Sequence, residues 1–306
     1  MAAEVAAGGC IFTIIAFPGG PTVRAMKLLS YSVNGAAAFG AIEGERIFDL
    51  GRRLAGITDL KSLLAAGGFE RARRAIAGAT ADYSSAEVRF EPVIVNPAKI
   101  LCIGLNYEDH RLETQRASTA HPTVFTRFAD TQVGHLGRII KPRHSGKVDY
   151  EAELALVIGK PGRDIAVDQA LAHVAGYSCY NDVSIRDYQS HTTQFTPGKN
   201  FPGTGPFGPA LVDPLEVGPL GSQRIQSRLN GTLMQNATLG DMIFPVPALI
   251  AYISQWTRLD VGDVIVTGTP GGVGVKRKPP VYMNDGDEIV VEIDSVGQLR
   301  NRVAAE

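Results

Sequence analysis

Cysteine is scarce in this 306-residue chain: Cys10, Cys102 and Cys179 lie far apart in unrelated contexts. That excludes a disulfide framework and any zinc-type ligand spacing, and it suits a reducing compartment, for which the cytoplasm is the expectation. An excess of either charge is also missing, since 30 Lys and Arg stand against 31 Asp and Glu for a net charge of -1. There is then no electrostatic reason to expect nucleic acid or an anionic membrane as a partner. Long hydrophobic runs are lacking too. The apolar core IFTIIAF of the first 25 residues has no basic segment before it and is too short to span a bilayer. Residues 1–25 are expected to be an extension outside the fold, with Met26 opening the first strand. No internal repeat and no low-complexity tract interrupts the chain.

Glycine and proline, by contrast, are plentiful, at 34 and 18 residues. Together with short Val- and Ile-rich runs they imply many turns and an α+β, β-rich enzyme in place of a helical bundle. Residues 27–50 read as a β-meander with a tight turn at Asn34-Gly35. Residues 58–79 carry Leu60, Leu63, Leu64, Phe69, Ala72 and Ile76 near helical spacing. Residues 26–90 are therefore expected to form a small N-terminal α/β subdomain. After a linker comes KILCIGLNY, a strand ending at Asn106, with a helix starting near Tyr107.

The stretch DYEAELALVIGK, 149–160, places Glu151 and Glu153 at the front of a run that is otherwise apolar from Ala152 to Ile158. The run fits a buried strand closed by Gly159, and side chains two apart in a strand share a face with Cα atoms roughly 6 to 7 Å apart. Adjacent carboxylates in a partly dry place repel each other unless a cation joins them. The plainer reading is that Asp149 and the two glutamates form a solvated edge or pair with nearby Arg and Lys, as surface Glu-x-Glu pairs often do, and the pair alone does not decide. Asp182 follows a strand-like segment, Gly176 to Tyr180, where it could serve as a third oxygen ligand or merely as a turn or cap residue. Glu151, Glu153 and Asp182 would suit Mg²⁺ or Mn²⁺ and argue against zinc.

Four further groups stand out. His110 and Glu113 are three apart on the expected helix, so a carboxylate could hold one imidazole nitrogen and free the other for proton transfer. Lys199 lies in the Gly/Pro-rich loop 196–209, where it could reach an oxyanion. In TGTPGGVG, 267–274, small residues would let backbone N–H groups and the Thr269 hydroxyl approach a carboxylate. That loop lacks the ending of a phosphate-binding loop. Each has a plain structural explanation when taken singly.

Taken in order, ILCIGLNYEDH, DYEAELALVIGK, VAGYSCYNDVSIRDYQ, GKNFPGTGPFGP, LNGTLMQNATLGDMIFPVPALIAYIS and LDVGDVIVTGTPGGVG resemble the fumarylacetoacetate hydrolase family. The resemblance implies a mixed β-roll catalytic domain over 98–303, usually dimeric. It implies a divalent metal held by Glu151, Glu153 and Asp182, and a His and Glu on a short helix or lid, here His110 and Glu113. It further assigns roles to Arg186, Gln189, Lys199 and Thr269. One departure concerns a Phe-x-Lys-Pro-Ser segment of many relatives. This chain has Arg127 at the Lys position and Phe128 at the Pro position, and the segment is expected to border the substrate pocket.

The activity implied is metal-dependent hydrolysis of the C–C bond of a 2,4-diketo acid, an acylpyruvate or fumarylpyruvate, as in aromatic compound catabolism. His110, oriented by Glu113, would activate a water for attack at C4 while C3 leaves as pyruvate enolate. Lys199 would stabilise developing charge, and Arg186, Gln189 and Thr269 would position carboxylates. The same apparatus permits isomerase, decarboxylase or hydratase chemistry on a related 2-keto acid, of the 2-hydroxyhepta-2,4-diene-1,7-dioate isomerase or oxaloacetate decarboxylase type. A calcium-binding module without catalysis is the alternative from another class, and it gives no reason for the His–Glu pair, Lys199 and TGTP to occur together.

Overall fold

The computed structural model describes residues 26–306. The extension expected at 1–25 lies outside the described residues. The meander expected over 27–50 is present as Lys27–Val33, Ala36–Glu43 and Arg46–Asp49. Its first turn is Asn34-Gly35, both with positive φ, at 51° and 81°, which matches the twist of a two-residue hairpin.

The helix expected over 58–79 is divided. Leu60–Ala65 and Gly68–Ile76 are separate helices, because Gly67 and Gly68 take φ values of 114° and 51° that end the first helix and turn the chain. Leu60, Leu63, Leu64, Phe69, Ala72 and Ile76 are all buried, so the apolar spacing marks the inward face but not the break. Asp59 caps the first helix by accepting from Ser62 N at 2.7 Å.

Twelve strands form the main sheet. Its central order runs Lys27–Val33, Gly205–Val212, Val174–Asn181, Ala152–Ile158, Val264–Val266, Ile100–Gly104 and Thr123–Arg127. A second sheet of five strands includes Arg224–Leu229, Glu288–Ile293 and Gly297–Ala305. Neither sheet closes on itself, and the whole is strand-rich α+β, as expected.

Strand Ala152–Ile158 is buried along its entire length. Leu154, Leu156 and Ile158 pack against Leu249, Ile250 and Ile253 of the helix Val246–Trp256 and against the smaller sheet. Ala155 and Val157 point the other way, into a core shared with Leu60, Leu63 and Phe69 of the N-terminal helices. Burial on both faces explains why the sequence shows a continuous apolar run here instead of alternation.

Pairing register gathers the polar groups at one edge. Ala152 pairs with Asn181 in the neighbouring antiparallel strand, and one step further Asp182 N donates to Glu151 O at 2.9 Å. Val264–Val266 runs antiparallel to Ala152–Ile158 and parallel to Ile100–Gly104. The start of one strand and the ends of three others therefore meet at the same place. Loops leaving strand ends are where a rigid scaffold can hold reactive side chains.

Candidate active site

At this edge lie Glu151, Glu153 and Asp182, all buried, with ligand oxygens within 4.8 Å of one another. Glu151 Oε2 and Asp182 Oδ2 accept from Lys199 Nζ at 2.7 and 2.6 Å. Glu151 Oε1 pairs with Arg186 Nη1 at 2.7 Å. Asp182 also pairs with Arg127. Glu153 has no such cation and accepts from the backbone N–H of Gly268 at 2.5 Å.

The electrostatics follow from this arrangement. Burial opposes ionisation of Glu151, but the charges of Lys199 and Arg186 outweigh it and hold the carboxyl below its usual range. Burial raises Glu153 well above its usual range, and Asp182 and Glu151 push it further the same way. Asp149, Glu151, Glu153 and Asp182 outnumber Arg127, Arg186 and Lys199 by one, so Glu153, if ionised, would be the fourth negative charge against three positive ones. A buried carboxylate in this state is costly. The all-oxygen donor set, the close spacing and the unpaired Glu153 together fit a divalent cation.

His110 and Glu113 stand on the helix Glu108–Glu113, with Nδ1 and Oε1 2.7 Å apart. Glu113 Oε2 accepts from Gly272 N at 3.0 Å. Burial opposes its ionisation, yet the hydrogen bonds from His110 and Gly272 keep the carboxyl below its usual range. His110 is buried and lines a cavity of about 440 Å³ together with Glu151, Glu153, Arg186, Gln189, Lys199 and Thr269. Two candidates do not line the cavity themselves: Glu113 reaches it through His110, and Asp182 through Lys199. A larger, more open depression of about 1040 Å³ between Lys27, Arg73 and residues 292–298 holds none of them. Its cations are committed, Lys27 to Val296 O and Arg73 to Asp213, so the smaller cavity is where the reactive groups converge.

Three residues outside the candidate catalytic, binding and metal set carry the scaffold. Asp149 is fully buried and accepts from Arg186 Nε, Gly274 N and Val275 N, each at 2.8 Å. Gln235, on the strand Thr232–Thr238, donates to Thr269 Oγ1 at 2.7 Å and to Pro270 O at 2.8 Å. Thr269 in turn donates to Ala152 O at 2.9 Å. The third is Arg127, buried between Asp182, Val183 O and Thr204 Oγ1. The expectation that its segment borders the pocket holds for Phe125 but not for Arg127 or Phe128. A guanidinium at this position bears on the carboxylate of Asp182, and Phe128 is exposed. The carboxylates approached by the Gly-rich loop 267–275 also prove to be the protein's own: Glu153, Glu113 and Asp149 each receive its N–H groups.

Residues 99–304 match the model of the fumarylacetoacetate hydrolase C-terminal domain. The chain belongs to the fumarylacetoacetate hydrolase family. Within the family it is 42% identical over 233 residues to the bovine protein named oxaloacetate tautomerase FAHD2B, mitochondrial, covering 76% of this chain and 74% of that one. It is 41% identical over 226 residues to oxaloacetate tautomerase YisK of Bacillus subtilis, covering 72% and 75%. Among solved structures, a fumarylacetoacetate hydrolase from Exiguobacterium antarcticum superimposes with a TM-score of 0.79 at 34% identity, covering 92% of this chain and all of that one. A 2-hydroxyhepta-2,4-diene-1,7-dioate isomerase from Mycobacterium marinum gives 0.72 at 29%, covering 92% and 99%. These family members bear the names of tautomerases and an isomerase as well as a hydrolase, and they favour the isomerising alternative over C–C hydrolysis. Among the described residues no helix is long and apolar enough to cross a membrane.

Proposed function

We propose that this protein is a divalent-metal-dependent tautomerase of a small 2-oxo acid, with oxaloacetate the first candidate. The observation that carries the reading is His110, braced by Glu113, lining the same cavity as Glu151, Glu153 and Lys199. The names of the relatives at about 40% identity support it. The same pair would activate a water for hydrolysis, yet a base that takes a proton from C3 needs the same geometry as one that takes a proton from water.

Glu151, Glu153 and Asp182 would hold the ion, Mg²⁺ or Mn²⁺ by the chemistry of their oxygens. When bound, the ion supplies Lewis-acid polarisation of the 2-oxo group. Glu113 fixes the imidazole through Nδ1 and leaves Nε2 to remove or return the proton at C3. Lys199, kept charged by Asp182 and Glu151 despite its burial, offers positive charge to the enolate oxygen. Arg186 keeps one buried Nη2 without a partner, and with the Gln189 amide it would orient the 1-carboxylate, while the Thr269 hydroxyl already donates to Ala152 O. A homodimer and a cytoplasmic location belong to the same proposal, although the mammalian relatives are mitochondrial by name.

The test is a panel of oxaloacetate, an acylpyruvate and fumarylpyruvate with Mg²⁺ or Mn²⁺, followed by NMR of the products. Accelerated keto–enol equilibration of oxaloacetate without pyruvate is the expected result. Stoichiometric pyruvate from an acylpyruvate or fumarylpyruvate would return the hydrolase reading in its place.

A further inference from the structure

Two cations at the rim of the cavity have no role in the chemistry described so far. Arg116 follows the helix Glu108–Glu113, and Lys276 ends the turn Gly274–Lys276. Both line the same cavity as Glu151, Glu153 and Lys199. Arg116 and Lys276 are exposed while the other three are buried, so the cations stand at the mouth and the carboxylates at the floor.

Neighbouring acids are already engaged. Glu108 pairs with Arg111, Glu113 with His110, and Asp149 with Arg186. Asp187 accepts from Ser145. Neither Arg116 nor Lys276 has an acidic partner among the described residues. Their backbones are nevertheless held firmly. Arg116 N donates to Arg111 O at 3.1 Å, and Arg116 O accepts from Arg111 Nη1 at 2.7 Å. Lys276 N donates to Val273 O at 3.2 Å, in a turn that Asp149 grips through Gly274 and Val275.

Two unpaired like charges over one cavity repel each other, and its low-dielectric walls focus their field inward. The arrangement complements a ligand that is anionic at its outer end. We propose that Arg116 and Lys276 receive the distal carboxylate of a dianionic 2-oxo acid, so that the site selects substrates with an acid at both ends. This rests on the function proposed above only in taking a 2-oxo acid as the ligand of the cavity.

Pyruvate and oxaloacetate differ by that distal carboxylate alone, and titration calorimetry of each with the Mg²⁺-saturated protein reads its contribution directly. Wild type is expected to prefer oxaloacetate by about tenfold or more, the range of charge-assisted contacts. The double variant Arg116→Gln/Lys276→Gln should lose most of that preference with its affinity for pyruvate unchanged, and each single variant should lose part. An unchanged preference in the folded double variant overturns the proposal, as does a wild type that binds neither acid. If wild type binds both and tautomerises neither, the proposed reaction fails, while the affinity ratio still decides the role of the rim cations.

Discussion

Arg127 shows how much one side chain can do without touching the cavity. Its guanidinium is fully enclosed and reaches Asp182, Val183 O and Thr204 Oγ1 at once, a fork that lysine cannot reproduce. Replacing it by methionine takes away one of the two cations that hold the Asp182 carboxylate. Arg127→Met should therefore cost about 3–5 kcal/mol in urea denaturation. Arg127→Lys keeps the charge and loses the fork, at about 1–2 kcal/mol. Equal losses in the two variants would mean that the fork, and not the charge, sustains Asp182. The sequence revealed that position 127 departs from relatives, but its meaning depends on partners 55 and 77 residues away. For the same reason Glu151, Glu153 and Asp182 were legible, being tied to strand ends, whereas the bracing by Gln235 and Asp149 was not. Gln235 reaches Thr269 across 34 residues, and Asp149 reaches Gly274 across 125.

Among elements, the loop that follows Val264–Val266 joins the parts of the site. Its backbone N–H groups serve Glu153, Glu113 and Asp149 in succession, so the proposed metal ligand Glu153, the brace of His110 and the anchor of Arg186 share one support. A Cβ at Gly274 would lie 1.9 Å from Val281 O and 2.6 Å from Asp149 Oδ1. Gly274→Ala should therefore displace the loop, lower the melting temperature and weaken Mn²⁺ binding by tenfold or more, on the order of 1.4 kcal/mol. Gly146, with open space around its Cα, is the control: Gly146→Ala should leave both unchanged within about 1 kcal/mol. Calorimetry and Mn²⁺ titration check the pair, and normal Mn²⁺ affinity in Gly274→Ala would show that the loop does not support the carboxylates. Elements whose signal is local were readable beforehand, as with the Asn34-Gly35 hairpin and the doubly buried strand Ala152–Ile158. The break at Gly67-Gly68 was not, because the apolar spacing continues across it.

At the scale of the whole molecule, the acid limb of stability has an identifiable contributor away from the cavity. His135 packs edge-on against Phe90 at 5.1 Å, and its Nδ1 accepts from Arg300 N at 3.1 Å, which requires an unprotonated ring nitrogen. Burial, reinforced by the Arg300 charge, lowers its pKa from 6.5 to about 4. Between those values the unfolded chain binds a proton that the folded protein does not, so stability falls as pH drops from 6.5 towards 4 and then levels off. The loss amounts to up to about 3 kcal/mol. His135→Gln should flatten that part of the stability profile measured by urea denaturation across pH, and an unchanged slope would place the acid sensitivity elsewhere.

Tautomerase activity is read most directly from the absorbance of enol-oxaloacetate as it converts to the keto form. The assay compares wild type with Mg²⁺, wild type with EDTA, and His110→Ala with Mg²⁺, with pyruvate assayed in parallel. Fast decay is expected only in the first, with a fall of about 10²–10⁴ in His110→Ala and no pyruvate. Decay that survives both EDTA and the loss of His110, or that releases pyruvate in step, would contradict the tautomerase reading.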